Sequence, residues 1–177
     1  MAELDIILAT HNHFNLTMSA VEALYANTSI PFRLIVVDDS TDRLTPLYFE
    51  ELQKEKDNIK YIQSSTPYRH GNEIIQIGID NSETPIAAYL GNNVRVEPGW
   101  LDVAWDIINR EPSVGVIGFK LLWDSGVIEH AGMYWTPDMP HHMNFGVNQA
   151  GHRYTFLREV DLVGWALVLL RKESLPK

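Results

Sequence analysis

The chain has 177 residues, no cysteine and a formal net charge of -9, from 14 Lys and Arg against 23 Asp and Glu. This length suits one domain, and the lack of cysteine excludes a disulfide framework and a thiolate metal site. The acidic balance argues against a nucleic-acid partner, since nucleic-acid binders usually present a basic face. No apolar run approaches the roughly 20 residues of a transmembrane segment and the N-terminus lacks a basic signal start, so we expect a soluble, cytoplasmic protein.

Strand and helix signals alternate through the first 112 residues. Short β-branched runs predict strands, and apolar residues spaced by three and four predict the helices between them. The predicted strands are Leu4–Thr10, Phe32–Val37, Ile59–Ile62 and Pro85–Leu90. The predicted helices begin at Phe14, at Pro46 behind a Thr45 cap, at Gly71 (ending at Ile79) and at Pro98 (ending before Pro112). This alternation indicates an α/β fold.

Helical periodicity is lost after Ser113. Strands are predicted at Val114–Leu122, Gly126–Trp135 and Val160–Leu170, between loops rich in Gly, Pro, His and Asn. Such a pattern indicates a mixed sheet with irregular connections. Because no linker is long enough to split the chain, we expect a single domain over residues 1–177, with a nucleotide-binding half at 1–112 and an extension at 113–177.

The apolar strand that ends at Val37 is followed by two adjacent carboxylates, Asp38 and Asp39. A continuous apolar run indicates a strand buried on both faces, and ligands of parallel sheets bind at the carboxyl ends of strands. A carboxylate at this position can accept hydrogen bonds from a nucleobase N–H or a ribose hydroxyl. The alternative is that Asp38 and Asp39 cap the following turn, which is a frequent use of Asp.

Five segments occur in an order and spacing that carry a family resemblance. They are Asp5–Asn12, Phe32–Asp42, Tyr89–Leu101, Ser125–Gly132 and Val160–Arg171, and together they span nearly the whole chain. This ordered set resembles the nucleotide-sugar-binding part of family 2 glycosyltransferases. The resemblance implies a GT-A-like (nucleotide-diphospho-sugar transferase) fold, a three-layer α/β/α domain with a mixed, mostly parallel sheet. It also implies a nucleotide-diphospho-sugar donor and a saccharide or other hydroxyl acceptor.

The resemblance assigns the nucleotide to residues near the ends of the predicted strands. It gives Asp39 the contact with the donor's base, and it implies further nucleotide contacts at Thr10 and Asn12, with His11 in the place of the usual aromatic residue. Asn12 could instead cap the helix that begins at Phe14. The nucleotide-binding set is Thr10, His11, Asn12, Asp38, Asp39, Arg69, Asn92 and Asn93.

The chain departs from the family pattern at the metal site. The usual Asp-x-Asp motif, which would hold Mn²⁺ or Mg²⁺, falls on Gly91-Asn92-Asn93. Asn93 occupies the most metal-critical position, and a carboxamide oxygen is a much weaker ligand for a hard cation than a carboxylate. Diphosphate charge must still be stabilised, and Arg69, His70 and Arg95 are candidates by type, although each could be an ordinary surface residue. We classify the motif as a degenerate Asp-x-Asp.

The resemblance places His130 and Trp165 on the acceptor side. Trp165 could stack on a sugar ring or simply pack in the core. The neighbouring His141-His142 pair lacks a third ligand at useful spacing, which argues against a histidine metal site.

The catalytic base of the family would follow the last strand, beyond Lys177. The catalytic residue is therefore unknown, and the extension is expected to be incomplete. Glu129 and Asp161 are carboxylates without a motif reason for that role.

Two functions fit these observations. The first is inverting transfer of a sugar from a nucleotide diphosphate donor to an acceptor hydroxyl, with the base supplied by a further segment or another chain. The second is a noncatalytic nucleotide-sugar-binding module, or a truncated fragment without metal ligands and base, which could make this chain alone inactive. A dinucleotide-dependent dehydrogenase is a distant third, because no Gly-x-Gly-x-x-Gly turn follows the first strand.

Overall fold

The computed structural model describes residues 2–64, 71–148 and 156–175. The strands are β1 (Leu4–Thr10), β2 (Phe32–Asp38), β3 (Ile59–Gln63), β4 (Ile86–Gly91), β5 (Val116–Gly118), β6 (Leu121–Leu122), β7 (Ile128–His130), β8 (Met133–Trp135), β9 (Pro140–His142) and β10 (Leu167–Arg171). The helices are α1 (Phe14–Asn27), α2 (Leu44–Glu55), α3 (Gly71–Asp80) and α4 (Asp102–Arg110), with a short 3-10 helix at Lys172–Ser174.

Within the described residues, six strands form one sheet in the order β3-β2-β1-β4-β10-β5. The first four are parallel, and β10 runs antiparallel between β4 and β5. The central strands β1 and β2 are mostly apolar because both of their faces are buried, as in other parallel sheets, and their charged residues Asp5, Arg33 and Asp38 lie near the strand ends. The strand order reverses at β1, whose two neighbours are β2 and β4.

Helices cover both faces of this sheet. On one face, Leu4 and Leu8 of β1 pack with Leu24 of α1 and Phe49 of α2. On the other face, Ile7 packs with Ile74 of α3. The result is a three-layer α/β/α domain with a mixed, mostly parallel sheet, so the predicted layer arrangement is confirmed.

The longest described helix, α1, has 14 residues. Among the helices that the structure describes, none is long and apolar enough to cross a membrane.

The predicted strands of the extension are shorter than expected. Val114–Leu122 divides into β5 and β6, which belong to different sheets. Gly126–Trp135 divides into β7 and β8 because Gly132, at φ +92°, turns the chain between them. Of Val160–Leu170, only β10 belongs to the main sheet, while Leu162 forms an isolated bridge to Met133. Small hairpins β6-β7 and β8-β9 therefore replace long strands.

Two predicted helix starts are wrong. The helix expected from Pro98 begins at Asp102, because Gly99 at φ +75° interrupts the chain before it. Thr45 does not cap α2 but lies buried inside its first turn. The Asp42 carboxylate supplies the cap, since its Oδ1 accepts the backbone N–H groups of Leu44 at 2.9 Å and Thr45 at 2.8 Å.

A buried carboxylate stabilises the edge of the sheet where β1 begins. Asp5 accepts two hydrogen bonds from Arg33, at 2.8 and 3.0 Å, and one from the Ser82 hydroxyl at 2.9 Å. The backbone N–H groups of Glu83 and Thr84 also donate to it. Burial alone raises the pKa of Asp5, but Arg33 and these donors lower it from 3.8 to about 2. Asp5 thus links β1, β2 and the turn before β4.

This linkage makes stability depend on pH. The pKa of Asp5 is depressed on folding, so its contribution of roughly 2 kcal/mol is present above about pH 4 and is lost as the pH falls towards 2. Urea denaturation of wild-type protein and Asp5→Asn should show that difference at pH 7 and a smaller one near pH 3. A difference of equal size at both pH values would contradict this role.

Candidate functional site

Three strand ends and the start of a fourth strand meet at one edge of the sheet. Thr10 lies opposite Asp38, and Gly91 follows the β4 residue that pairs with β10. The Gly91 N–H donates to the carbonyl of Ala166 at 2.8 Å, which holds the segment before β10 beside the end of β4. Ligands of open α/β sheets bind at such an edge, where the strand order reverses.

Asn12 joins the loop after β1 to the loop after β2. Its Oδ1 accepts the backbone N–H groups of Thr41 at 2.8 Å and Asp42 at 3.1 Å, and the Thr41 hydroxyl at 3.2 Å. Its own N–H donates to the Ser40 hydroxyl at 2.7 Å. Asn12 is left-handed, at φ 55°, a conformation that Asn tolerates better than most residues. The alternative role as the cap of α1 is wrong, since His13 occupies that position without a side-chain cap bond.

The His11 ring lies across the end of β2. Its Nδ1 is 2.9 Å from the Asp39 carbonyl, which can only accept, so Nδ1 carries a proton. Its Nε2 is 3.3 Å from Asn12 Nδ2. Because the other amide atom of Asn12 accepts three hydrogen bonds, Nδ2 is the donor and Nε2 the acceptor. The His11 side chain is 42% exposed at the edge of the sheet.

The two adjacent carboxylates have different surroundings. Asp38 Oδ1 accepts the Ser40 N–H at 2.9 Å, and Oδ2 accepts the Tyr61 hydroxyl at 2.6 Å. Burial and the bond to Asp38 raise the pKa of Tyr61. Asp38 thus holds the turn, as the alternative interpretation of this residue expects.

Asp39 is fixed through its backbone. Its N–H donates to the Thr10 carbonyl at 2.9 Å, and its carboxylate lies 3.6 Å from His11 Nδ1. The Asp39 side chain is only 1% exposed, so a nucleobase could reach this carboxylate only if neighbouring groups such as the His11 ring moved. Base recognition by Asp39 stays a prediction.

Asn92 binds the end of β4 to β1 and α1. Its Nδ2 donates to the Thr17 hydroxyl at 3.0 Å, the Asn12 carbonyl at 3.2 Å and the Thr10 hydroxyl at 3.4 Å. Thr10 and Thr17 also share a hydrogen bond of 3.0 Å. Sequence reasoning missed Thr17, although a hydroxyl on the apolar face of α1 was a signal that some polar partner would face it.

The segment Gly91-Asn92-Asn93 offers only weak ligands for a hard divalent cation. Asn92 uses its amide in the network just described, and the exposed Asn93 offers only a neutral carboxamide. Across residues 2–64, 71–148 and 156–175, no three His, Asp or Glu side chains converge as a metal site would require. Arg95 forms an exposed ion pair with Asp124. Arg69 and His70 lie outside the described residues.

The predicted acceptor-side residues are close together. His130 is buried, 3% exposed, and accepts the Gly164 N–H at 2.9 Å. The next residue, Trp165, is 47% exposed and its ring edge contacts Tyr89 of β4. A side chain this exposed is not packed in the core, so the core-packing alternative for Trp165 is wrong. Asp161 is used elsewhere, since its Oδ2 accepts the Trp135 N–H at 2.8 Å.

Residues 5–171 match the profile of the protein family described as Glycosyl transferase family 2. Two curated bacterial proteins are similar in sequence. One is the uncharacterized protein y4gI of Sinorhizobium fredii, 29% identical over 132 residues, which are 73% of this chain and 14% of that protein. The other is the O-antigen biosynthesis protein RfbC of Myxococcus xanthus, 27% identical over 134 residues, which are 74% of this chain and 10% of that protein. The chain therefore spans a small part of either relative.

Two solved glycosyltransferase structures share the fold. The mannosyltransferase PcManGT of Pyrobaculum calidifontis, in complex with GDP-Man and Mn²⁺, superposes with a TM-score of 0.65 over 97% of this chain and 45% of its own, at 12% identity. S. aureus TarS 1-349, in complex with UDP-GlcNAc, gives 0.58 over 68% of this chain and 34% of its own, at 22% identity. At these identities the likeness establishes the fold alone.

Removing the Asn12 side chain should loosen the edge of the sheet. Asn12→Gly keeps the left-handed backbone but loses the link between the two loops, so we expect a loss of roughly 1 kcal/mol of unfolding free energy. Asn12→Ala should lose about 1 kcal/mol more, because a Cβ disfavours positive φ. Urea denaturation measures both, with Asn15→Ala, on the exposed side of α1, as the matched control. Wild-type stability in Asn12→Gly would show that the link contributes nothing.

Proposed function

Because the chain belongs to glycosyltransferase family 2 and has the GT-A fold, we propose that it binds a nucleotide-diphospho-sugar where β1, β2 and β4 end. The family and the fold are both as the ordered motifs predict. The observation that carries the proposal is the network that joins the loops after these three strands through Asn12 and Asn92. It holds these loops together before any ligand arrives, which limits the rearrangement that binding requires to the groups around Asp39. The division into residues 1–112 and 113–177 is part of the same proposal.

The reaction we propose is inverting transfer to an acceptor hydroxyl. The hydroxyl oxygen attacks the anomeric carbon, the bond from that carbon to the diphosphate oxygen breaks, and the electron pair leaves with the nucleoside diphosphate. A base removes the hydroxyl proton as the new bond forms. No catalytic residue is assigned, because neither Glu129 nor Asp161 has a contact that gives it this role.

Base recognition is proposed for Asp39, with His11 stacked on the base. A carboxylate is acceptor-only and selects a base edge that presents an N–H donor. Asp38 would act behind it by holding the turn through Ser40 and Tyr61. The half-exposed His11 ring is hydrogen-bonded to the Asp39 carbonyl, and a change of its side-chain rotamer would open the way to the Asp39 carboxylate when a nucleotide enters.

Residues 91–93 offer no carboxylate to hold a metal ion tightly. The negative charge of the donor's diphosphate must therefore be stabilised mainly by other groups. The structures that share this fold include one with Mn²⁺, so weak use of a divalent cation is part of the proposal, with Asn93 as its candidate ligand. When bound, such a cation would neutralise charge on the leaving diphosphate. Arg69 and His70 are proposed as cationic partners, and Arg95 would first have to leave Asp124.

A noncatalytic nucleotide-sugar-binding module is the second candidate. It is favoured by Gly91-Asn92-Asn93, which keeps the turn after β4 but offers no carboxylate. Both candidates predict donor binding, and they differ in turnover. Release of nucleoside diphosphate by this chain, with donor and a panel of saccharide acceptors, would exclude the module.

Donor binding is tested by thermal shift with uridine, thymidine, guanosine and cytidine diphosphates, each with and without Mn²⁺. A ligand that binds only the folded state must raise the midpoint of unfolding. We expect one base to stabilise the protein more than the others. No shift with any of the four diphosphates would refute the proposed binding function.

Replacing Asp39 should weaken the binding of the preferred diphosphate. Asp39→Ala removes the acceptor for the base and should cost roughly 1 to 3 kcal/mol of binding free energy, measured by calorimetry. The matched control is Asp57→Ala, which removes an exposed carboxylate just before β3, at the opposite end of the sheet, and should leave the affinity unchanged. Equal affinities in Asp39→Ala and wild type would exclude Asp39 from base recognition.

Restoring a carboxylate at position 93 should restore metal binding. Asn93→Asp should bind Mn²⁺ more tightly than wild type in the presence of the diphosphate, because a carboxylate is the stronger ligand. Asn109→Asp makes the same change on the exposed surface of α4 and should have no effect. Equal manganese affinity in all three proteins, by calorimetry, would show that position 93 is not a metal-ligand position.

A further inference from the structure

Both ring nitrogens of the buried His130 have hydrogen-bond partners. Its Nε2 accepts two backbone N–H groups, from Gly164 at 2.9 Å and from Gly132 at 3.2 Å. Its Nδ1 lies 3.2 Å from Nδ1 of His142. The Gly164 backbone also packs on the ring, since a Cβ there would lie 3.2 Å from Cε1. The ring is therefore fixed on three sides.

These contacts determine the tautomer. Two N–H groups pointing at Nε2 require a lone pair on that atom, so the proton of the neutral ring is on Nδ1. Nδ1 then donates to His142 Nδ1, which acts as the acceptor of this bond. A metal bound between the two Nδ1 atoms would move the proton of His130 to Nε2, against the Gly132 and Gly164 N–H groups. The geometry thus favours a hydrogen-bonded pair over a metal site.

We propose that His130 is a positioning residue. In its Nδ1-protonated tautomer it holds the Gly164 backbone, and it thereby positions Trp165 beside the edge of the sheet where β1, β2 and β4 end. The link to the site runs along one short segment. His130 holds Gly164, Trp165 contacts Tyr89 of β4, and the Ala166 carbonyl accepts the Gly91 N–H. His130 is buried and Trp165 is half-exposed, so contact with a ligand would fall to Trp165. The further step, that Trp165 stacks on an acceptor sugar, rests on the proposed transferase function.

Among the described residues, few charged groups surround His130. His142 of β9 faces the ring, and burial together with His142 lowers the pKa of His130. Glu129 precedes it on β7 and points to the opposite face of the strand. Arg158 donates to the Ala131 carbonyl at 3.4 Å, one residue away. The β6 residues and the 163–166 segment carry no ionisable side chain, although Lys120 precedes β6. Protonation of Nε2 at low pH would remove both backbone bonds.

Nuclear magnetic resonance tests the proposal without a ligand. With ¹⁵N-labelled histidine, His130 should show a protonated Nδ1 and an unprotonated Nε2 at pH 7.5, and addition of Zn²⁺ should leave that pattern unchanged. The opposite tautomer, or zinc binding at Nδ1, would overturn the proposal. On acidification, the Trp165 indole signal, assigned with Trp165→Phe, should shift together with the His130 titration. A Trp165 signal that does not follow His130 would also overturn it.

Variants separate positioning from general packing. His130→Leu should raise the hydrogen-exchange rate of the Gly164 amide roughly tenfold, since it removes the acceptor. His130→Gln retains an acceptor oxygen near the place of Nε2 and should restore most of the protection, with a Trp165 signal that no longer responds to acidification. The control His141→Leu changes an exposed histidine that stacks on Tyr134, and should behave as wild type.

Equal Gly164 exchange rates in His130→Leu and wild type would refute the role. If His130→Leu does not fold, the tautomer of the wild-type ring and the behaviour of His130→Gln still decide. None of these measurements needs a nucleotide or turnover. A failed donor-binding experiment would therefore refute the proposed function and leave the role of His130 in the loop intact, and the reverse also holds.

Discussion

Two asparagine side chains hold the ends of the three central strands at fixed distances from one another. Asn12 crosses from β1 to the loop after β2, and Asn92 crosses from β4 back to β1 and α1. Both links use neutral amides, which can donate and accept at once and need no counter-charge. The shape of the edge is thus set by hydrogen bonds within the protein. The nearby acidic residues have other contacts: Asp38 stabilises the turn after β2, and Asp42 caps the start of α2.

Charge is also neutralised locally at the two ends of the sheet. At the end where β1 begins, Asp5 is neutralised by Arg33 and by several N–H and O–H donors. At the other end, the Asp38 carboxylate is held by the Ser40 N–H and the Tyr61 hydroxyl. Both carboxylates are thus stabilised by hydrogen-bond donors that the protein itself supplies.

Apolar runs and turn residues were enough to predict the layers, the central strands and the edge where they end, because burial on two faces leaves a strong pattern in sequence. The contacts of Asn12 could not be predicted, since a cap for α1 and a link to Thr41 call for the same residue at the same position. The break between β7 and β8 in the extension depended on one backbone angle at Gly132. His130 was found by motif, yet its role depends on Gly164, which is distant in the sequence and close only in the fold.

The antiparallel return of β10 has a consequence for how such a domain can vary. Gly118 at the end of β5 lies opposite Val168 of β10, so the chain leaves the sheet and re-enters it on neighbouring strands. Both small hairpins and Trp165 belong to the segment between these two strands. The entropy of closing such a segment changes slowly with its length. A change in the length of this segment would therefore cost little stability and leave the pairing of the six-stranded sheet unchanged.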